Sequence, residues 1–483
     1  MDDVVVVGAG SAGCALAGRL TDGPGRRVLL LEAGPATPLP ELTDATSLAA
    51  TAPDHPRNWA HPVELRAGQP HVVPRGRGLG GSSAINGGNW TRAVPADAPG
   101  LPGWEWPDLL RCYIRSERDL DLGDRPGHGA AGPIPVRRPA GPLLHPAAER
   151  FLGAAARLGV PAEADKNAGG PPGAGLVPTN AVDGVRVDAA TAYLSGDRPG
   201  LTVRAGAPVR RVLVERGRAT GVVLADGTRV EAREVVLAAG AVGTPALLLA
   251  SGIGPADDLR AAGIDVVVDR PGVGRNWSDH PAVFLPWRAT DPPAHPHAPT
   301  AQAVLHLDAG ADPAGDVEVL LFVRPFVTGG DRHLMCAVQH PDSRGVITLP
   351  DAGGAPRIEY RYLRTEHDRR RLRHAVRTAA ELLRAGLGTR TGPDGDVLGN
   401  DRTLDGWLAA HLDTAVHLSG SAAMGPTDDA AAVVGPDLRV HGVAGLRVAD
   451  TSVLPVVPRR GTAATAVAIG ERAAELLGAP GLP

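Results

Sequence analysis

Asp3-Val4-Val5-Val6-Val7-Gly8-Ala9-Gly10-Ser11-Ala12-Gly13 is the stretch whose reading decides the fold. Four β-branched residues behind an acid suit a short parallel strand buried on both faces. Gly-x-Gly-x-x-Gly follows without a gap. Ala15 to Leu20 then reads as a helix with an apolar face, and Arg27 to Leu31 as a second apolar strand ending on Glu32. Strand, glycine-rich turn, helix, strand and acid make a dinucleotide-binding βαβ unit. Gly8 turns the chain after the strand, Gly10 has no Cβ to obstruct a pyrophosphate, and Gly13 lets helix and strand pack closely. The helix start offers unpaired N–H groups and a positive dipole end to phosphates. Glu32 stands about 20 residues beyond Gly13, the spacing of an acid that accepts from ribose hydroxyls. The expected contacts of this unit are Gly8, Gly10, Ser11, Ala12, Gly13, Glu32 and Ala33. The competing reading is a glycine-rich turn in a ligand-free α/β sheet.

The rest of the composition narrows the class. With 483 residues the chain has room for two or three domain-sized units. A net charge of −4 leaves no polybasic surface, so no nucleic-acid partner is expected. Cys14, Cys112 and Cys336 are scattered without metal-ligand spacing, which suits a reducing compartment and no disulfide framework. The first strand begins at once, so no signal peptide is expected ahead of it. The longest apolar stretch, Val235 to Ile253, is interrupted by Gly240, Gly243, Pro245 and Gly252, so no membrane span is expected. The expected location is the cytoplasm, with peripheral attachment to a membrane left open.

Further along, Val209 to Val214 and Gly221 to Leu224 alternate as strands, Asp226-Gly227 marks a hairpin, Arg229 to Ala232 returns, and Val235 to Ala239 reads as a separate buried strand. Ala262 to Asp269 continues the β reading. Ala303 to Leu307, Val317 to Phe322 and Leu334 to Gln339 suit one antiparallel sheet of a second unit. Asp368 to Leu387 has helical spacing, its arginines reading as a solvated face. Leu446 to Ala449 is a last strand and Ala463 to Leu477 a last helix.

Arg75-Gly76-Arg77-Gly78-Leu79-Gly80-Gly81-Ser82-Ser83-Ala84-Ile85-Asn86-Gly87-Gly88-Asn89 lets backbone approach a large flat ligand. This segment resembles the first signature of the glucose–methanol–choline (GMC) oxidoreductases, which are FAD enzymes. Gly240 through Pro255 resembles their second signature. The Asp279-His280-Pro281 segment, Ser343-Arg344-Gly345, the His417 to Gly425 segment and Leu446 to Asp450 are similar to the family in the same order.

The resemblance implies an α/β fold. Its Rossmann-like FAD-binding unit is formed from 1–141, 183–280 and 415–483. A discontinuous substrate unit, from 142–182 and 281–414, is built on an antiparallel sheet with helices. It adds Gly80, Gly81, Ser82, Asn86, Gly87, Gly88, Val209, Ala239, Asp450 and Thr462 to the expected FAD contacts. The last helix is expected to aim its N-terminus at the flavin pyrimidine edge. FAD is expected to be non-covalent, because Ile85 stands where some relatives carry a linking histidine. His417 is implied as the general base that takes a hydroxyl proton while hydride passes to flavin N5. His280 is expected to be structural. Gly461 occupies the position where the family usually carries Asn or His as partner to the base. That gap and the short substrate unit resemble the mycofactocin-associated GMC dehydrogenases.

The implied activity is oxidation of an alcohol, or of a redox-cofactor donor such as mycofactocinol, with electrons passed to a non-oxygen acceptor, a respiratory chain included. The alternatives are a choline, alcohol or sugar oxidase and a hydroxynitrile lyase with non-redox FAD. No metal is expected.

Overall fold

The computed structural model describes residues 2–23, 25–310, 312–327 and 329–478; Met1 and residues 479–483 of the expected cofactor unit lie outside them. Asp2–Val7 is the central strand of a seven-stranded sheet. It pairs in parallel with Val28–Leu31 on one side and with Arg229–Leu237 on the other, and Leu201–Arg204 and Leu446–Val448 extend the parallel set. The valines are buried on both faces, as a strand covered by helices requires. The first helix starts earlier than its apolar face suggests and spans Ser11–Leu20.

The last helix, Ala463–Leu476, lies against the first. Gly470 makes this possible, because a Cβ there would stand 2.3 Å from the Ala12 carbonyl oxygen. The fully buried Glu471 carboxylate then accepts from Arg19 (2.9 Å), Arg115 (2.6 Å) and Tyr193 (2.6 Å), tying the first and last helices to the segments between them. This clamp fixes where the last helix begins.

Three expectations change. Arg229–Leu237 is one strand rather than two. Its first half pairs antiparallel with Arg218–Leu224 and its second half runs parallel to Asp2–Val7, since no Gly or Pro at residues 233–234 breaks it. Between Ala262 and Asp269 only Val268–Asp269 is strand, because the helix Ala256–Ala261 precedes it and Gly263, at φ +70°, turns the chain. The arginine-rich helix spans Glu366–Leu382, and its arginines are not all solvated. Arg371 and Arg373 are buried, Arg371 against Asp316 at 3.3 Å and Arg373 against both oxygens of Asp405 at 2.8 and 2.9 Å.

A second seven-stranded sheet is antiparallel. Its order is Thr389–Arg390, Pro281–Arg288, Arg332–Val338, Val317–Phe322, Ala301–Leu307 and Ala174–Leu176, with Asp413–Thr414 also pairing with Pro281–Arg288. Alternation gives it two faces. Val283, Leu285, Leu305, Val319, Leu321 and Cys336 pack under the helices Pro146–Arg157 and Glu366–Leu382. Phe284, Met335, Leu320 and Val304 face a cavity. A five-stranded sheet joins His61–Arg66, Gln69–Val73 and Arg275–Trp277 to Gly345–Thr348 and Arg357–Glu359, so it draws strands from both expected units. Among the described residues no helix is long and apolar enough to cross a membrane.

Candidate active site

The two large sheets enclose one cavity of about 1270 Å³. That exceeds the ~300–1,000 Å³ of a pocket for a single small ligand and leaves room for a dinucleotide and a substrate together. At one end the first helix presents Gly10, Ser11 and Ala12. Gly10 is its N-cap and supplies no side-chain hydrogen bond, so the first N–H groups are free for a ligand. A Cβ at Gly10 would meet nothing closer than 4.0 Å, so the space it leaves belongs to the cavity. Ala239 and Gly240 bring the start of the helix Gly240–Ala250 to the same cavity, and Thr462 and Ala463 bring the start of the last helix. Three positive helix ends converge where an electron-rich, phosphorylated cofactor would lie.

Glu32 lines the cavity, with Ala33 beside it, and its carboxylate also holds the loops around it. Its carboxylate already accepts from the amides of Ala9 (2.9 Å), Gly34 (2.8 Å) and Gly78 (3.0 Å). Burial pushes its pKa up, and the three amides pull it back. Asp450 behaves alike: it lines the cavity and accepts from Gly240 N–H (2.9 Å), Thr244 (2.6 Å) and Ser452 N–H (2.8 Å), which welds the last strand to the second cavity-facing helix. Gly8, Gly81, Ser82, Asn86, Gly87 and Val209 also line the cavity.

Gly13, Gly80 and Gly88, expected as contacts, do not. A Cβ at Gly13 would stand 1.9 Å from the Gly8 carbonyl oxygen, so this glycine serves helix–strand packing. Gly80, at φ +84°, donates to the Ala9 carbonyl (2.9 Å), and Gly88 donates to Asn86 Oδ1 (2.9 Å). Both shape the loop from behind.

His417 lines the other end. Its Nδ1 is 3.0 Å from Nδ1 of the fully buried His280, which is therefore more than a packing residue. The residue that organises the pair, Asp279, was not singled out from sequence. Its buried carboxylate accepts from the amides of His280 and His417, both at 2.7 Å, and from Thr414 Oγ1 at 3.0 Å. Burial pushes its pKa up to about 6, with Arg75 opposing. Val416 sits at φ +66°, an unusual conformation for a β-branched residue. It is held there by its own N–H to Thr414 Oγ1 (3.0 Å) and by Arg75 donating to its carbonyl. His417 Nε2 has no protein partner among the described residues. A Cβ placed on Gly461 would lie 3.7 Å from that nitrogen, so position 461 does adjoin the imidazole. Burial, with Arg75 adding to it, pushes the His417 pKa down to about 3, which keeps the ring neutral and able to accept.

Family models described as GMC oxidoreductase match residues 2–282 and 341–470. The chain belongs to the GMC oxidoreductase family. It is an FAD-dependent oxidoreductase of CH–OH donors. It is 39% identical to an uncharacterised GMC-type oxidoreductase in the thcA 5′ region of Rhodococcus erythropolis, over 98% of each chain. It is 34% identical to 5-(hydroxymethyl)furfural oxidase of Methylovorus sp., again over 98% of each. With oxygen-dependent choline dehydrogenase of Sinorhizobium fredii it shares 33%, over 98% of this chain and 95% of the relative. The solved structure of pyridoxine 4-oxidase from Mesorbium loti superposes with a TM-score of 0.90 at 31% identity, over 98% of this chain and 99% of that one.

Proposed function

We propose that this GMC oxidoreductase oxidises a primary alcohol on non-covalent FAD, with His417 as general base. The observation that carries the reading is the free Nε2 of a neutral imidazole whose other nitrogen is engaged by His280. FAD, when bound, supplies the hydride acceptor. For Nε2 to accept a hydroxyl proton, Nδ1 of His417 must carry the ring's proton and donate it to His280. That donation makes His280 Nδ1 the acceptor, so the buried His280 Nε2, which has no hydrogen-bond partner among the described residues, carries that ring's proton. Asp279 holds both backbones, so the orientation of the pair is set before substrate arrives. Among residues 82–86, Ile85 and Ala84 carry no nucleophile, and the Ser82 and Ser83 hydroxyls are engaged with Gly76 and Gly80, in keeping with a cofactor released intact by denaturation. The substrate half of the cavity is walled by Phe284, Phe322 and Phe326, whose ring centroids lie 5.0–6.1 Å apart, a surface suited to an aromatic or extended apolar alcohol.

Anaerobic bleaching of the purified flavoprotein by benzyl alcohol tests this. A flavin that stays oxidised with every primary alcohol tried would argue for the lyase alternative. A narrower reading has electrons pass from mycofactocinol to a respiratory acceptor, and the open space at Gly461 favours it. The relatives named as a furfural oxidase and an oxygen-dependent dehydrogenase favour oxygen instead. Reoxidation of the bleached enzyme by air, compared with a quinone analogue, decides between them.

Two expectations follow from the base. A lowered pKa keeps His417 unprotonated as pH falls through 6.5, so flavin reduction should hold its rate below the usual imidazole range and drop only at more acid pH. A rate that halves near pH 6.5 would show that burial does not depress this group in the working enzyme. At Gly461 the neighbouring ring is at ordinary contact distance, so Gly461→Asn should fold. It should favour small over bulky alcohols in relative kcat/KM, because the amide fills space beside His417. An unchanged preference would remove position 461 from the substrate pocket.

A further inference from the structure

The cavity holds a buried polar pair that proton abstraction does not use. His306 and Glu318 are directly opposite on adjacent strands, 2% and 7% exposed, and both line the substrate half. His306 Nε2 lies 2.7 Å from Glu318 Oε2. With Glu318 ionised and the ring neutral, Nε2 carries the imidazole proton and Nδ1 is left an acceptor. That Nδ1 is buried with no hydrogen-bond partner, and Glu318 Oε1 likewise makes no hydrogen bond to another described residue. Two unsatisfied acceptors beside Val304, Leu320 and Met335 are costly unless something donates to them.

We propose that Glu318 and His306 form the subsite for the far end of the substrate, and that the group it takes is a hydrogen-bond donor, either a second hydroxyl or a protonated nitrogen. The strands place it suitably. Ala282, Ala337, Glu318 and His306 form one row across four neighbouring strands, and Ala282 is two residues from His280. At the usual strand spacing Glu318 lies ~10 Å along the sheet from Ala282. A lone hydroxymethyl group cannot bridge that separation; a ring substituted at both ends can. The environment also asks for a cation or strong donor. Burial pushes the Glu318 pKa up to about 7, and Lys166 alone opposes it. Lys166 is itself held on the Gly173 carbonyl (3.1 Å), which also accepts the His306 amide (3.0 Å) and is paired with Glu163.

The inference rests on alcohol oxidation at His417, so the test includes a readout that needs no turnover. Benzyl alcohol, para-benzenedimethanol and para-(aminomethyl)benzyl alcohol are titrated against the oxidised holoenzyme, Kd being read from perturbation of the flavin spectrum; KM and kcat for anaerobic reduction are measured in parallel. Wild type should bind both para-substituted alcohols more tightly than benzyl alcohol. Glu318→Gln should raise Kd and KM for the amine about tenfold or more, leaving benzyl alcohol and kcat within about twofold. A smaller loss for the diol than for the amine would identify the nitrogen as the preferred group, and a larger loss for the diol the hydroxyl. His306→Phe, which keeps a ring but removes the acceptor Nδ1, serves if Glu318→Gln loses its flavin. Equal Kd values for the three alcohols in wild type, or unchanged ratios in both variants, would overturn the subsite even if all three bleach the flavin. Failure of bleaching with intact Kd differences would instead strike the oxidation reading alone.

Discussion

His417→Ala should leave FAD bound with a near-native spectrum and slow flavin reduction by alcohol roughly 10²–10⁴-fold, the range for loss of a positioned general base. The flavin should survive because no contact of His417 holds the cofactor half together; its ring nitrogen bonds to His280 and its amide to Asp279, and the amide remains in alanine. Nothing nearby should substitute. Gly461 has no side chain, His280 Nδ1 lies behind His417, and Asp279 is occupied by two amides and Thr414. The defect should therefore ease at high pH, where more alkoxide forms without help. Stopped-flow reduction under anaerobic conditions measures both effects. A His417→Ala enzyme that bleaches at the wild-type rate would remove the base assignment, while loss of the flavin would show that the site is one mechanical unit.

What sequence made legible is local and periodic. Asp3–Val7, the glycine turn and Glu32 were readable because strand burial, turn sterics and phosphate recognition all act within a short stretch. The sheet strands near 303, 317 and 334 were readable from their alternation. The histidine at 417 stood out only through its segment's resemblance, since 16 histidines dilute any lone one. Asp279 was invisible as an organiser because its partners, at 414 and 417, lie more than 130 residues away, at sequence separations of 135 and 138. Arg371 and Arg373 looked solvated because the acids that bury them come from Asp316 and Asp405, on other elements. The continuous strand Arg229–Leu237 defeated a pattern that changes midway, exposed alternation in the hairpin giving way to two-sided burial in the parallel sheet. The Glu318–His306 pair does break two apolar strands, but only their register makes it a pair.

Glu32→Ala should do more damage than loss of one ribose contact. Removing a charge-assisted bond to the cofactor would cost about 1.5–3 kcal/mol. The structure adds a second loss. Ala9, Gly34 and Gly78 all donate to this carboxylate, and they belong to the glycine turn, the end of the second strand and the loop that crosses it. Alanine leaves three buried N–H groups without their acceptor, each worth about 1–3 kcal/mol when unsatisfied. A Cβ at Gly34 would come within 2.4 Å of Gly78 N, so the two backbones are pressed together around Glu32 and have little freedom to find other partners. The expected result is protein purified largely without flavin, with a lower Tm than wild-type apoprotein. Glu32→Gln should fall between: Oε1 can still serve Gly34 and Gly78, but the amide nitrogen faces the Ala9 N–H. Flavin-to-protein absorbance, FAD titration of apoprotein and thermal denaturation separate the two losses. If Glu32→Ala weakens FAD binding while leaving the apoprotein Tm unchanged, the carboxylate reads the ribose and the three amides tolerate its loss. If the Tm falls but FAD affinity does not, Glu32 is a clamp for the loops and the ribose is held elsewhere.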